Sequence, residues 1–386
     1  MKEYTQDQLL AIDVEQVYRQ FMFMPNDHSF AVSTLWVMHT HLRNSDGRFL
    51  PYITPRLYFG SKIAGCGKSL ATELTTKMSH NGEMVLEPTP PSVTTMMNQD
   101  LATLGFDEID TYFGRGTGRG SMRAILNGGY KRGSCVTRER LGESERMNCH
   151  GPIVLNGKNA NLFLTSERFE TLRTRSIPII LEQKPVGYDV ARWNPEVNDA
   201  RLHALMRRLR KWGMINAPTI IAIPVDGLMP AKIANRAEEI WTVLFRIAAH
   251  LGGDWPARCE AAARAFVLGE WEEDETPNVS PSEELLTSVR TVFDAADEFL
   301  STTTILDRFE ELPQPPSLMD EWDTERAAEM GLARCMALFD IERERRQADG
   351  VQERGYSRVS VGLEPIPNLP PATMVDDDAA SARWCA

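Results

Sequence analysis

No stretch of this 386-residue chain is apolar over the roughly 18 residues that a membrane-crossing helix requires. Its six cysteines, Cys66, Cys135, Cys149, Cys259, Cys335 and Cys385, include no C-x-x-C pair, so they offer neither a disulfide framework nor a zinc site and read as reduced thiols. Cys149-His150 is the one Cys/His adjacency, and packing is the favoured reading over metal ligation. There is no internal repeat. The first ten residues, MKEYTQDQLL, are too acidic for a secretory or transit peptide, and the expected location is a cytoplasm, that of the host if the chain is phage-encoded.

Basic residues are also in short supply, 42 against 54 acidic, a net charge of −12. The deficit is local. Residues 1–185 carry 21 basic and 19 acidic side chains, whereas residues 186–386 carry 21 and 35, so a polyanion is expected to meet the first half.

Apolar periodicity predicts helices over 7–23 and 28–42, the second ending in His39-Thr40-His41. Two histidines one residue apart face different sides of a helix, a poor metal pair, and are read as a packed helix end. From Pro55 the pattern becomes α/β. A β-prone run, Arg56-Leu57-Tyr58-Phe59, leads into Gly60-Ser61-Lys62-Ile63-Ala64-Gly65-Cys66-Gly67-Lys68-Ser69 and then a helix from Leu70. Strand candidates follow at 83–87, 101–106, 133–137, 152–156 and 177–181, with helices between, which predicts a mostly parallel sheet. Helices are expected at 199–212, 231–251, 283–299, 303–311 and 322–340, and a hairpin at 344–361.

The expected organisation is a helical N-terminal cap (1–54), a phosphate-loop core (55–185), a helical subdomain (186–268), an acidic linker (269–282), a C-terminal helix-and-hairpin module (283–362) and a disordered tail (363–386). In the module, Ala327, Met330, Ala333, Cys335 and Leu338 lie near the spacing of a buried face. A hairpin permitted by Gly350 and Gly355 would carry Arg343, Arg345, Arg346, Arg354 and Arg358. A helix beside a basic β-wing predicts a winged-helix-like fold for nucleic acid or a protein partner, with a plain structural cap as the alternative.

Gly65-Cys66-Gly67-Lys68-Ser69 between a strand and a helix is the strongest chemical signal. Glycines let backbone N–H groups converge on phosphate oxygens without Cβ clashes, so Gly65 through Leu70 are the expected nucleotide contacts. Lys68 would reach the β- and γ-phosphates, and the Ser69 hydroxyl would ligate Mg²⁺. The usual pattern opens with Gly five residues before Gly67; here that position is Lys62.

Thirty-nine residues after Lys68, an apolar strand candidate ends in Asp107-Glu108. Asp107 is the expected second Mg²⁺ contact, and Glu108 the base that polarises an attacking water. Asn156, closing another strand, either holds that water and senses the γ-phosphate or is a turn Asn before Gly157. Arg175, and less so Arg173, either reaches a neighbouring subunit's γ-phosphate, which requires a homo-oligomer, or is a surface residue. The glycine- and arginine-rich stretch from Gly114 to Arg146 suits a nucleic-acid backbone, with a solvated loop as the alternative.

These motifs together resemble a family of phosphate-loop ATPases of unassigned function found in actinobacteria and their phages, often labelled replication, helicase-like or primase-associated. The resemblance spans about residues 28–362. Besides the loop, Asp107-Glu108-Ile109-Asp110 and Thr54-Pro55-Arg56-Leu57, it rests on Leu35-Trp36-Val37-Met38-His39-Thr40-His41 and Leu126-Asn127-Gly128-Gly129-Tyr130-Lys131-Arg132-Gly133. It continues in Leu172-Arg173-Thr174-Arg175-Ser176-Ile177, Gly252-Gly253-Asp254-Trp255-Pro256 and Arg354-Gly355-Tyr356. In that family Thr usually follows the loop lysine, where Ser69 is chemically equivalent, and a small residue often stands where Asn156 is. The resemblance implies ATP binding and hydrolysis. The expected function is an Mg²⁺-dependent ATPase that moves or remodels nucleic acid in phage or mobile-element replication; the alternative is an ATP-gated adaptor or helicase loader acting on a replication protein.

Overall fold

The computed structural model describes residues 4–364 except 64, 101, 113–118, 141–142, 158–159, 186–187, 272–280, 314, 317, 320–321, 323, 338, 340 and 349–350. Most of the glycine–arginine loop after Gly114, most of the acidic linker, Gly350, Leu338 and nearly all of the tail expected to be disordered therefore lie outside the described residues. The chain divides into two compact units, Met1–Pro277 and Asn278–Ala386.

In the first unit, α1 (Gln6–Phe21) starts at a reciprocal cap: the Gln8 N–H donates to Thr5 Oγ1 at 3.2 Å, and the Thr5 N–H donates to Gln8 Oε1 at 3.0 Å. Next, α2 (Asp27–Thr40) is buried at every position from His28 onward, so no polar face marks its period in the sequence. There follow β1 (Arg56–Gly60), α3 (Lys68–Met78), β2 (Gly82–Val85), α4 (Pro90–Thr95), β3 (Thr103–Phe106) and α5 (Arg119–Gly128). After them come β4 (Cys135–Arg140), β5 (Glu143–Asn148), β6 (Ile153–Asn156), α6 (Ala160–Thr165), α7 (Glu167–Arg173) and β7 (Ser176–Ile180). Three helices close the unit: α8 (Pro195–Ala222), α9 (Asn235–Leu251) and α10 (Trp255–Ala263).

Five strands form one parallel sheet in the order β2-β3-β6-β1-β7. Strands β1, β3 and β6 are buried throughout, as strands covered on both faces must be, which is why they read as continuous apolar runs. One face, with Leu57, Phe59, Val154, Ile177 and Ile179, packs into a single core shared by α1, α2, α3, α8, α9 and α10. The other, with Tyr58, Leu104, Phe106, Ile153 and Leu155, packs under α4 to α7. The result is a mixed α/β architecture of three layers.

One strand expectation needs correction. The β-prone segment 133–137 does not join the parallel sheet; β4 pairs antiparallel with β5 in a separate hairpin. Its register sets Arg138 opposite Glu145 and Arg140 opposite Glu143, while Val136 packs against the second core.

The second unit holds α11 (Pro281–Thr291), β8 (Phe299–Ser301), α12 (Thr302–Glu310), α13 (Glu325–Ala337), β9 (Glu344–Ala348) and β10 (Val351–Ser357). Its antiparallel sheet runs β8-β10-β9 over a core that includes Leu285, Val289, Ile305, Phe309, Leu332 and Tyr356. The helix expected over 283–299 ends at Thr291 and yields to the short β8, three residues that a helical pattern absorbs easily. The buried stripe of α13 also differs: Leu332 and Met336 are buried, whereas Met330 is 53% exposed. Of the hairpin arginines, Arg343, Arg345 and Arg354 are exposed, with Arg345 directly opposite Arg354. Arg346 pairs with Glu298 at 3.4 Å, and Arg358 donates to the Asp294 carbonyl at 2.8 Å.

Candidate functional site

Every expected site residue except the arginines converges on the carboxyl edge of the parallel sheet. The chain leaves β1 at Gly60, turns through Gly65 (φ 84°) and Gly67 (φ 83°), and enters α3 at Lys68. Both glycines hold left-handed backbone, which a side chain disfavours, and a Cβ at Gly65 would meet nothing within 4 Å. Their conformation, not crowding, therefore requires glycine. Gly67 caps α3 without any side-chain hydrogen bond, and the first bond within the helix is from the Ala71 N–H to the Gly67 carbonyl at 2.8 Å. The N–H groups of Lys68, Ser69 and Leu70 thus have no helical acceptor, and they carry the positive end of the helix dipole.

Lys68 folds back over the loop. Its ammonium donates to Ser61 Oγ and to the Ile63 carbonyl (3.4 Å), and Ser61 Oγ in turn donates to that carbonyl at 2.5 Å. Ser69 is exposed.

Asp107 and Glu108 leave the end of β3, two strands away, because β6 lies between β3 and β1. Asn156, the last residue of β6, ties these pieces together. It sits in register with Phe59 of β1 and is only 2% exposed. Its side-chain oxygen accepts the Glu108 N–H at 3.0 Å, and its amide donates to Thr72 Oγ1 at 3.0 Å. Thr72 Oγ1 donates to the Lys68 carbonyl at 3.0 Å. A continuous hydrogen-bonded path therefore joins Glu108 to the first turn of α3. Glu108 is exposed and holds φ at 53°, a left-handed conformation that costs an ordinary residue about 1–2 kcal/mol. Such strain collects where a side chain must be aimed.

Glu182 lies two residues after β7, the strand beside β1. Burial pushes its carboxyl up to about 7, against the opposing pull of Lys62. Burial likewise lowers the Lys62 ammonium, and Glu182 offsets part of that. Where the usual loop opens with glycine, this one brings a half-buried cation balanced by a neighbouring acid. Ser61, Thr72 and Glu182 were not singled out in the sequence. The readable signal for Glu182 was its place just after a strand, where the carboxyl edge of a parallel sheet must lie.

Arg173 and Arg175 are elsewhere. Arg175 precedes β7, and its carbonyl accepts the Arg56 N–H at 2.9 Å, at the start of β1. This is the amino edge of the sheet, a strand length or about 13 Å from the loop. Its guanidinium donates to the Thr171 carbonyl and lies 4.9 Å from the centre of the Tyr130 ring. Arg173 donates to the carbonyl of Phe163 at 3.1 Å. Neither reaches Lys68 within one chain.

Among the described residues no helix is long and apolar enough to cross a membrane, and no group of three or more His, Cys, Asp or Glu is arranged to hold a metal ion. Ser69 and Asp107 are a two-residue set of a different kind, completed by phosphate and water in sites of this chemistry. An exposed hydroxyl on the first helical turn, a carboxylate at the end of a strand two places away and an open glycine loop are the donor types that would fit Mg²⁺ carried in on a nucleotide.

The fold and site thus define a mixed α/β protein with a glycine-containing turn at the carboxyl edge of a five-stranded parallel sheet. Residues 181–362 match the model of a family described as a protein of unknown function, DUF3631. That segment begins where β7 ends and so excludes the whole parallel sheet. The chain is also similar to the "Uncharacterized 28.9 kDa protein in xis 5'region" of Saccharopolyspora erythraea, 30% identical over 182 residues. The match covers 46% of this chain and 64%, less than two thirds, of that protein. Both comparisons are with uncharacterised proteins, the second from an actinobacterium.

Proposed function

We propose that the chain is a phosphate-loop ATPase that binds ATP with Mg²⁺ at the carboxyl edge of the parallel sheet and hydrolyses it. The observation that carries this reading is the hydrogen-bonded path Glu108–Asn156–Thr72–Lys68, which couples an acidic strand end to a glycine loop two strands away. The N–H groups of the loop and first turn would take the phosphate oxygens, and Lys68 would exchange Ser61 and Ile63 for the β- and γ-phosphates. Ser69 and Asp107 would hold Mg²⁺, which when bound neutralises phosphate charge. Glu108 would accept the proton of an attacking water, and Asn156 would fix Glu108 relative to the loop.

The finer reading is a nucleic-acid-remodelling ATPase of replication. It is supported by the exposed Arg343, Arg345 and Arg354 on a helix-and-hairpin unit whose order, three helices with strands β8-β10-β9, suits a winged-helix-like module. An ATP-gated adaptor for a protein partner is supported instead by the net charge of −14 over residues 186–386. ATP titration and turnover of three proteins test both. Lys68→Ala should abolish ATP binding. Glu108→Gln should bind ATP and lose about 10²-fold or more in rate. Wild-type turnover should rise with single-stranded DNA. Unchanged ATP affinity in Lys68→Ala overturns the ATPase reading, and DNA-indifferent turnover favours the adaptor.

A further inference from the structure

The opposite edge of the sheet gathers four arginines, Arg43, Arg48, Arg132 and Arg210, around a single acid, Asp46. The loop after α2 doubles back, pairing Arg43 with Phe49, and lies over the amino ends of β3 and β6. It borders two cavities, of about 370 and 320 Å³, which share Arg43 and Asp46. The first is also lined by Arg48, Arg132, His150 and Phe49; the second by His41, His80 and Arg210. Volumes of this size are those of ordinary ligand sites.

The arginines lack counter-ions. Among the described residues no ion pair involves Arg43, Arg48, Arg132 or Arg210, although Arg43 is only 2% exposed. Arg43 instead donates to backbone carbonyls, of Gly47 at 3.0 Å and Thr40 at 3.3 Å, and it lies 5.2 Å from the Phe49 ring centre. Buried donors also remain unused. Arg132 Nε, Arg210 Nε, His150 Nε2 and His80 Nδ1 are all inaccessible to water and without a hydrogen-bond partner. Both histidines are 8% exposed. Unpaired buried donors and a buried cation without a paired acid, Arg43, each cost free energy, and their concentration around two cavities that share lining residues points to an anionic ligand that satisfies both.

We propose that this amino edge is a second phosphate-binding site, in which Arg43, Arg48, Arg132 and Arg210 meet phosphate oxygens and His150 and His80 complete the hydrogen bonding. The phosphate belongs either to a small phosphate ester or to the backbone of a nucleic-acid strand; the chemistry of recognition is the same. The site is a strand length from the glycine loop and does not depend on what that loop binds.

The test uses the full chain carrying Lys68→Ala, so that phosphate binding at the loop is suppressed. Calorimetric titration with pyrophosphate should give one site. Adding Arg48→Glu and Arg132→Glu should weaken it about tenfold or more, the loss expected for one charge-assisted hydrogen bond. If the double substitution lowers the thermal midpoint, Arg48→Ser alone replaces it, because Arg48 is exposed. Displacement of pyrophosphate by a short oligothymidylate assigns the phosphate to nucleic acid, and failure to displace assigns it to a small ester. No pyrophosphate binding, or an affinity indifferent to the arginine substitutions, overturns the proposal.

Discussion

Asn156 uses its amide oxygen and nitrogen for different partners, and an isosteric change separates the two uses. Asn156→Asp keeps the acceptor for the Glu108 N–H but removes the donor to Thr72, while Asn156→Ala removes both. The alanine variant should lose about 1–3 kcal/mol of stability, the cost of stranding buried polar groups, which chemical denaturation will measure. On the proposed function its turnover should fall with little change in ATP affinity, because Asn156 touches the acidic strand end and not the glycine turn itself. A fall in affinity alone would mean that Asn156 supports the loop and not Glu108. Sequence reading placed Asn156 at a strand end and left its role open between sensor and turn. Its place beside Phe59 depends on β6 entering between β1 and β3, and no local pattern encodes that order.

At the scale of elements, helices and strands were legible wherever one periodicity governed a segment. The β1–loop–α3 turn and the acidic end of β3 both follow from local chemistry. What was not legible depended on partners distant in sequence. β4 reads as β-prone, yet its alternating charge fits a hairpin better than a covered sheet, and only pairing with β5 decides the matter. α8 runs 28 residues, well past the expected 199–212, and carries Pro218 in its interior. Its middle is held by a close approach: a Cβ built on Gly213 would stand 2.0 Å from the His41 carbonyl oxygen, at the end of α2. Backbone cannot yield as a flexible side chain does, so Gly213→Ala should separate α8 from α2. The expected cost is about 1–3 kcal/mol, read as a lowered denaturation midpoint. Because His41 lines one of the amino-edge cavities, that variant should also weaken pyrophosphate binding.

At the scale of the whole molecule, its buried histidines should make stability fall in acid. Burial and nearby arginines hold His39, His41 and His150 down to about 3, and His80 to about 2. Unfolded histidines titrate near 6.5. The folded chain therefore binds fewer protons than the unfolded one between these limits, and the stability from neutral histidines is present above about 6.5 and lost as pH falls toward about 3. Glu182 acts in the opposite sense, since its raised carboxyl contributes stability that is lost as pH rises through about 7. Four groups outweigh one, so the thermal midpoint should drop steeply from pH 6.5 to pH 4. A flat profile there would mean that these imidazoles are protonated in the fold. Assembly is a second property at this scale. Arg175 lies at the edge of the sheet away from Lys68, so any role at a γ-phosphate requires another subunit. Mixing inactive Arg175→Ala and Lys68→Ala proteins should then restore part of the turnover, through interfaces that combine an intact loop with an intact arginine. No recovery on mixing would leave Arg175 a structural residue beside Tyr130.

The strand order also bears on how the protein emerges during synthesis. β1 is made early but hydrogen-bonds to β6 and β7, whose residues appear about a hundred positions later. Until Asn156 has left the ribosome the nascent β1 has both edges bare, one edge stays bare until Ile180 follows, and its face is not fully covered until α10 is made. Long-range parallel pairing of this kind is slow and exposes strands to association with other chains. The glycine loop therefore acquires its shape late, when β6 and β7 close around β1. Polypeptides arrested before residue 176 should be protease-sensitive and dependent on chaperones, whereas those released after Ala263 should be protected.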